Sequence, residues 1–215
     1  MRRDRLTAFS DGVIAIIIMI MVLDLKVPHG TDLKALTGQA PIFLSYVLSF
    51  VYIAIYWNNH HHLMHTVARV SGPILWANNN LLFWLSLVPF TTGWMGENHF
   101  APLPTAIYGL SLLMPGIAWV LLQRAIIRKH GTTSVLAKAL GSDVKGKIST
   151  FLYATAIALA FVSPWISIAI YMLVAVMWLI PDQRIEHALA TELQPVSCHL
   201  VTCLCPGHEQ TLIMW

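Results

Sequence analysis

Long apolar stretches alternate with short polar segments along most of the chain. A helix needs about 20 mostly apolar residues to cross the hydrocarbon core of a bilayer, and six stretches approach or reach that length. None of them shows strict alternation of apolar and polar positions, which favours helices over a membrane barrel. The predicted spans cover residues 7–25, 41–60, 73–94, 103–124, 147–163 and 165–181.

Three prolines mark places where these spans can end or break. Only Ser163-Pro164 separates the last two spans, so they are expected to form a tight hairpin. Pro89 and Pro115 lie inside the third and fourth spans. Because a proline removes one backbone hydrogen bond, either helix can be interrupted there.

The composition excludes an ordinary soluble enzyme and a disordered chain. Hydrophobic residues make up 57% of the 215 residues and charged residues only 11%, whereas a soluble domain is about 25% charged. The formal net charge is +3 and the 13 Lys and Arg residues are spread thinly. No nucleic-acid partner is predicted, and the basic residues are better interpreted by the side of a membrane on which they lie.

The distribution of Lys and Arg predicts the topology. With a cytoplasmic N-terminus, only Lys26 and Lys34 lie outside, and 11 basic residues lie inside. Basic residues favour the cytoplasmic side, so we predict an all-α membrane protein with six transmembrane helices and both termini cytoplasmic. Residues 1–182 form the membrane domain, in a cell membrane (the inner membrane if the source is bacterial), and residues 183–215 form a variable cytoplasmic tail. The basic residues on the inner side are Arg2, Arg3, Arg5, Arg69, Arg124, Arg128, Lys129, Lys138, Lys145, Lys147 and Arg184.

The first predicted helix carries a carboxylate within an apolar run. Because a charge inside a membrane helix is costly, Asp11 is a candidate functional or structural residue that needs a partner. At 100° per residue, Ile16, Ile20 and Leu23 share one stripe, and Asp11 points about 140° away from Ile16. On periodicity alone, this stripe also fits ordinary helix packing or lipid contact. Asp24 lies at the outer end of the helix, where it forms either an acidic mouth or an ordinary solvated helix end.

The run Arg5-x-x-x-Phe9-Ser10-Asp11-Gly12, at the start of this helix, resembles the signature of the transmembrane-protein-175 potassium channels. The similarity extends from about residue 5 to about residue 185. Bacterial members have one six-helix unit per chain, and animal endolysosomal members have two. Further matching motifs are Tyr56-Trp57-x-Asn59-His60-His61, Trp76-x-Asn78 and Leu87-Val88-Pro89-Phe90.

The resemblance implies a channel rather than an enzyme, with no cofactor. It implies a homotetramer in a lipid bilayer, whose four first helices line a pore for K⁺ and other monovalent cations. By position in the motif, Ile16 forms the narrowest ring, and Ile20 and Leu23 form further rings. Many members have a Thr that contributes to potassium selectivity where this chain has Met19. A thioether is a weak acceptor, so the expected selectivity for potassium is weak.

Polar residues at the cytoplasmic ends of the first three spans are predicted to lie at one depth. We expect a structural network in which Asp11 accepts from His61, Trp76 or Asn78, with Arg5 nearby, and which holds the first helix at a fixed rotation. The alternative is anchoring of Trp and His side chains at the headgroups. The predicted network residues are Arg5, Phe9, Ser10, Asp11, Trp57, His61, Trp76 and Asn78.

Two other functions stay open at this point. His61 and His65 have the i, i+4 spacing of metal ligands on a helix, so a membrane-embedded histidine-metal enzyme is one alternative. A small secondary transporter is the other, although no internal repeat is visible. The tail contains Cys198, Cys203 and Cys205 without a standard zinc spacing, and we predict no metal site there.

Overall fold

The computed structural model describes residues 3–29, 31–67, 69–131 and 144–179. All regular secondary structure in these ranges is helical, which confirms the all-α prediction for this part of the chain. The helices are α1 (Arg3–Leu23), α2 (Leu33–Thr37), α3 (Ala40–His65), α4 (Gly72–Ser86), α5 (Val88–Glu97), α6 (Pro102–His130), α7 (Val144–Leu159) and α8 (Pro164–Leu179).

Each of the six predicted spans coincides with one helix or with a pair of helices. Helices α1, α3 and α6 are long and apolar enough to cross a membrane, and α8 is a shorter apolar helix. The short helix α2 was not predicted from the sequence. The crossing of a membrane by all six spans and the side of the termini stay predictions, and the proposed tail at residues 183–215 lies outside the described residues.

The third predicted span is interrupted, as Pro89 allows. It consists of α4 and α5, which are separated by Leu87. Pro89 has no N–H to continue the helical ladder, and the Leu87 N–H donates to the Trp84 carbonyl one residue short of the α-helical spacing. Pro115, in contrast, lies inside the continuous helix α6. Of the two prolines, only Pro89 lies at a break between helices, in the first turn of α5.

Two clusters of buried side chains hold the helices together. One joins α1, α3, α4 and α6 through residues such as Leu6, Ile17, Ile53 and Leu81. The other is rich in tyrosine and joins α3, α6, α7 and α8; its aromatic members include Tyr52, Tyr108, Tyr153 and Tyr171. Helices α3 and α6 contribute to both clusters, so these two helices join the clusters to each other.

Gly96 allows α5 to approach the start of α3 closely. A Cβ at this position would lie 2.8 Å from the Ile42 Cα and 2.5 Å from the Ser45 Oγ. Since a backbone atom cannot rotate away, we predict that Gly96→Ala lowers stability by about 1–3 kcal/mol through overpacking. Thermal unfolding of the purified protein in detergent measures this effect.

The control for this prediction is Gly72→Ala. A Cβ at Gly72 meets nothing within 4 Å, so its melting temperature should match that of the unmodified chain. Equal melting of the two variants would show that α3 and α5 are further apart than described.

Candidate functional site

Helix α1 has one face inside the chain and one face on its surface. The buried face consists of Leu6, Ser10, Ile14, Ile17 and Met21. On the other side, the side chains of Ile16 and Leu23 are 61% and 75% exposed. Exposed apolar residues on this surface are Phe9, Ile16, Met19, Ile20 and Leu23. We call Ile16, Ile20 and Leu23 the aliphatic stripe. Within the described residues, no other helix covers these three side chains.

A second exposed strip of α1 carries small residues. Ala8, Gly12 and Ala15 are exposed and follow each other at helical spacing, beside the aliphatic stripe. A Cβ at Gly12 would meet nothing within 4 Å. Contacts within the described chain therefore do not explain a glycine at this position of the motif. Small residues of this kind allow close helix–helix approach in membranes.

The C-terminal end of α1 faces an open cavity shared with α5. Asp24 is exposed there, and its Oδ2 lies 3.9 Å from where a Cβ of Gly93 would be. Lys26 forms an ion pair with Glu97 across the same cavity. We call this the terminal cavity; its lining includes Ile20, Leu23, Asp24, Lys26, Phe90, Gly93, Trp94 and Glu97.

A buried chain of hydrogen bonds links α3, α4 and α1. The His60 Nε2 lies 2.7 Å from the Asn78 Oδ1, and the Asn78 Nδ2 donates to the Ser10 Oγ at 3.0 Å. The Ser10 hydroxyl in turn donates to the Leu6 carbonyl at 3.0 Å. His60, Asn78 and Ser10 are at most 1% exposed. Because Asn78 accepts from α3 and donates to α1, these hydrogen bonds connect three helices.

The other predicted network residues are placed differently. Asp11 accepts a hydrogen bond from the Trp57 Nε1 at 3.1 Å, not from His61, Trp76 or Asn78. The Nε2 atoms of His61 and His65 lie 3.1 Å apart on an exposed face of α3. The predicted single network is thus two separate groups: the buried chain through Ser10 and Asn78, and the Asp11–Trp57 pair.

Four of the predicted residues lie outside both groups, and His61, which pairs with His65, is one of them. Trp76 is 76% exposed and Phe9 is 54% exposed. Arg5 is also exposed, on the α1 surface. None of these three side chains takes part in the hydrogen bonds of either group.

Sequence reasoning missed His60, although a signal for it was available. The buried residues of α3 include Ser49, Tyr52, Ile53, His60 and Leu63, which recur at helical spacing. His60 follows Ile53 by two turns and therefore lies on the buried face, whereas His61 is rotated by about 100°. The i, i+4 spacing of His61 and His65 pointed to these exposed histidines instead. Among the described residues, no group of three or more His, Cys, Asp or Glu side chains is arranged to hold a metal ion.

Comparison with known proteins matches this chain to a family model and to relatives that are named as channels. Residues 5–89 match the family model described as endosomal/lysosomal potassium channel TMEM175. A potassium channel of Chryseobacterium sp. (strain P1-3) is 54% identical over 189 residues, covering 88% of this chain and 98% of the relative. A potassium channel of Streptomyces collinus is 31% identical over 184 residues, covering 80% of this chain and 88% of the relative. These relatives are named as channels, not as enzymes.

A solved structure has the same fold. It is the crystal structure of a lysosomal potassium-selective channel TMEM175 homologue from Chamaesiphon minutus, with a TM-score of 0.72 and 28% sequence identity. The match covers 84% of this chain and 97% of that chain. With a relative 54% identical over nearly its whole length, this chain belongs to the TMEM175 family of membrane channels.

Proposed function

We propose that this chain forms a potassium-preferring cation channel in a cell membrane, in which α1 helices from four copies surround the permeation path. One observation carries the proposal: α1 exposes Ile16, Ile20 and Leu23 on a stripe separate from its buried face. The names of the relatives, which are potassium channels, support the choice of ion.

The position of α1 requires several chains. A pore needs a closed wall, and one chain offers a single aliphatic stripe on its outer surface. Symmetric association of copies turns such a stripe into a ring, because closed cyclic symmetry places the same residue of each chain at the same distance from the axis. The small residues Ala8, Gly12 and Ala15, beside the stripe, supply the surface for close packing between neighbouring chains.

A ring of Ile16 side chains accounts for both gating and ion preference. An aliphatic constriction conducts only when it is wetted, so small changes in its diameter open or close the path. An ion passes it with part of its water shell removed, and K⁺ loses water more easily than Na⁺. Met19 on the same exposed surface is a poor ligand for a cation. The preference for K⁺ therefore depends on dehydration, and we expect it to be modest.

The ends of α1 complete the proposed path. At one end, the buried hydrogen bonds from His60 through Asn78 to Ser10 hold the rotation of α1. The aliphatic stripe therefore keeps facing away from the other helices of the same polypeptide. At the other end, Asp24 of each copy would form an acidic mouth that concentrates cations. Neither group touches the narrow part directly.

Association through α1 can be tested without disturbing the fold of one chain. Gly12→Leu adds a large side chain where a Cβ meets nothing within 4 Å, so the single chain should fold normally. We predict that the oligomer dissociates to monomers, because the added side chain blocks packing between copies. Size-exclusion chromatography with light scattering in detergent measures the oligomeric state.

Ala154→Leu is the matched control, since Ala154 is exposed on α7. It should leave the oligomer intact. An intact oligomer in Gly12→Leu would contradict the proposed packing between α1 helices.

The function itself is tested by flux through reconstituted protein. Liposomes containing the purified chain and a K⁺ gradient should accumulate a potential-driven indicator dye, and a matched Na⁺ gradient should give a smaller signal. Liposomes that pass neither ion under any gradient would contradict a cation channel. Equal signals for the two ions would leave a channel but contradict its preference for potassium.

A further inference from the structure

Lys26 and Glu97 join two parts of the chain at the C-terminal end of α1. Lys26 follows α1 by three residues, and Glu97 is the last residue of α5, 71 positions later. Their side chains form an ion pair although both are partly exposed, at 65% and 48%. The pair therefore connects the end of the proposed pore helix to α5 of its own chain.

The pair lies beside the aliphatic stripe. Ile20 and Leu23, the last two residues of the stripe, line the terminal cavity together with Asp24, Lys26 and Glu97. A cation that approaches the stripe from this end would pass two carboxylates and one ammonium group per chain. Of the two carboxylates, that of Glu97 pairs with Lys26, whereas that of Asp24 has no ion-pair partner among the described residues.

We propose that the Lys26–Glu97 pair sets the charge of this mouth and thereby the conductance of the channel. The inference rests on the proposed function, and it adds two residues to Asp24. Two carboxylates and one ammonium group leave one net negative charge per chain, and Lys26 cancels the Glu97 charge. The mouth thus attracts cations without holding them as a fully acidic ring would.

The size of the effect depends on ionic strength. A cleft of one charge sign raises the local concentration of counter-ions, and this focusing falls steeply as salt increases. The screening length is about 30 Å at 0.01 M salt and about 3 Å at 1 M. Changes of mouth charge should therefore alter conductance strongly in dilute KCl and hardly at all in concentrated KCl.

Three variants test the inference by single-channel recording in planar bilayers. Glu97→Gln removes the net negative charge of the mouth, and we expect conductance in dilute KCl to fall about two- to threefold. Lys26→Gln doubles the net negative charge, and conductance should rise by a similar factor. The double variant K26Q/E97Q has the original net charge and should conduct like the unmodified channel. All four channels should converge near 1 M KCl.

Lys34→Gln is the control, because Lys34 carries the same charge on α2 but is not part of the cavity lining. It should change conductance much less than Lys26→Gln. The inference is wrong if both single variants shift conductance in the same direction, or if the shifts persist at 1 M KCl. The pair would then only stabilise the packing of the end of α1 against α5. An unmodified channel that passes no cation would overturn the proposed function, and the inference with it.

Discussion

Replacing Ile16 with Asn should increase K⁺ current about tenfold and reduce the preference for K⁺ over Na⁺; a tenfold change corresponds to about 1.4 kcal/mol in the barrier. A ring of isoleucine side chains, one from each copy, excludes water from the narrow part of the path. The amide group of asparagine can form hydrogen bonds with water there, so the narrow part is more easily wetted. Ions then cross with more of their water shell, so the difference between K⁺ and Na⁺ dehydration matters less. Ile16 is 61% exposed, so the substitution removes little packing within the chain.

Reversal potentials and current amplitudes in asymmetric KCl and NaCl measure both effects. Ile148→Asn is the matched control: Ile148 is 45% exposed on α7, a helix that does not line the proposed path. It should leave conductance and ion preference unchanged. If Ile16→Asn channels show the amplitude and reversal potential of the unmodified protein, Ile16 is not at the constriction.

Replacing Asn78 with Leu should destabilise the protein by about 1–3 kcal/mol, the cost of leaving a buried polar group without a partner. The His60 Nε2 loses its acceptor, and its Nδ1 already has no hydrogen-bond partner among the described residues. The Ser10 hydroxyl is less affected because it still donates to the Leu6 carbonyl. Loss of the link between α3, α4 and α1 should also weaken the oligomer.

Thermal unfolding in detergent and the oligomeric fraction measure these losses. The double variant H60L/N78L removes donor and acceptor together, and it should recover part of the stability lost in Asn78→Leu. Trp76→Leu, on an exposed position of the same helix, should have little effect. A double variant less stable than Asn78→Leu would show that the two side chains are not partners.

The pattern along the sequence predicted most of the helices and the two faces of α1. Apolar stretches of sufficient length fix where helices form, since backbone groups in lipid must bond internally. Periodicity places Ile16, Ile20 and Leu23 on one stripe, and in the structure all three are exposed while Ser10 and Ile17 of the same helix are buried. These properties are local, because each depends on residues within one or two turns of the same helix.

Contacts between distant segments could not be predicted in the same way. Lys26 and Glu97 pair across 71 positions, and the Tyr52 hydroxyl donates to the Tyr171 carbonyl across 119. Such contacts depend on the relative depth and rotation of packed helices, which small residues such as Gly96 determine. For the same reason Asp11 meets Trp57, while the equally suitable donors Trp76 and Asn78 face elsewhere.

The central claim is that α1 helices from several copies surround the permeation path, and cysteine accessibility tests it most directly. Cys198, Cys203 and Cys205 are first replaced by Ser, and Ile16→Cys is introduced into that background. We predict that Ag⁺, which is small enough to travel with permeating cations, blocks K⁺ flux through Ile16→Cys channels. We predict no block in Leu173→Cys channels, where the exposed position is on α8. Unimpaired flux in Ile16→Cys, or equal block at both positions, would contradict a path lined by α1.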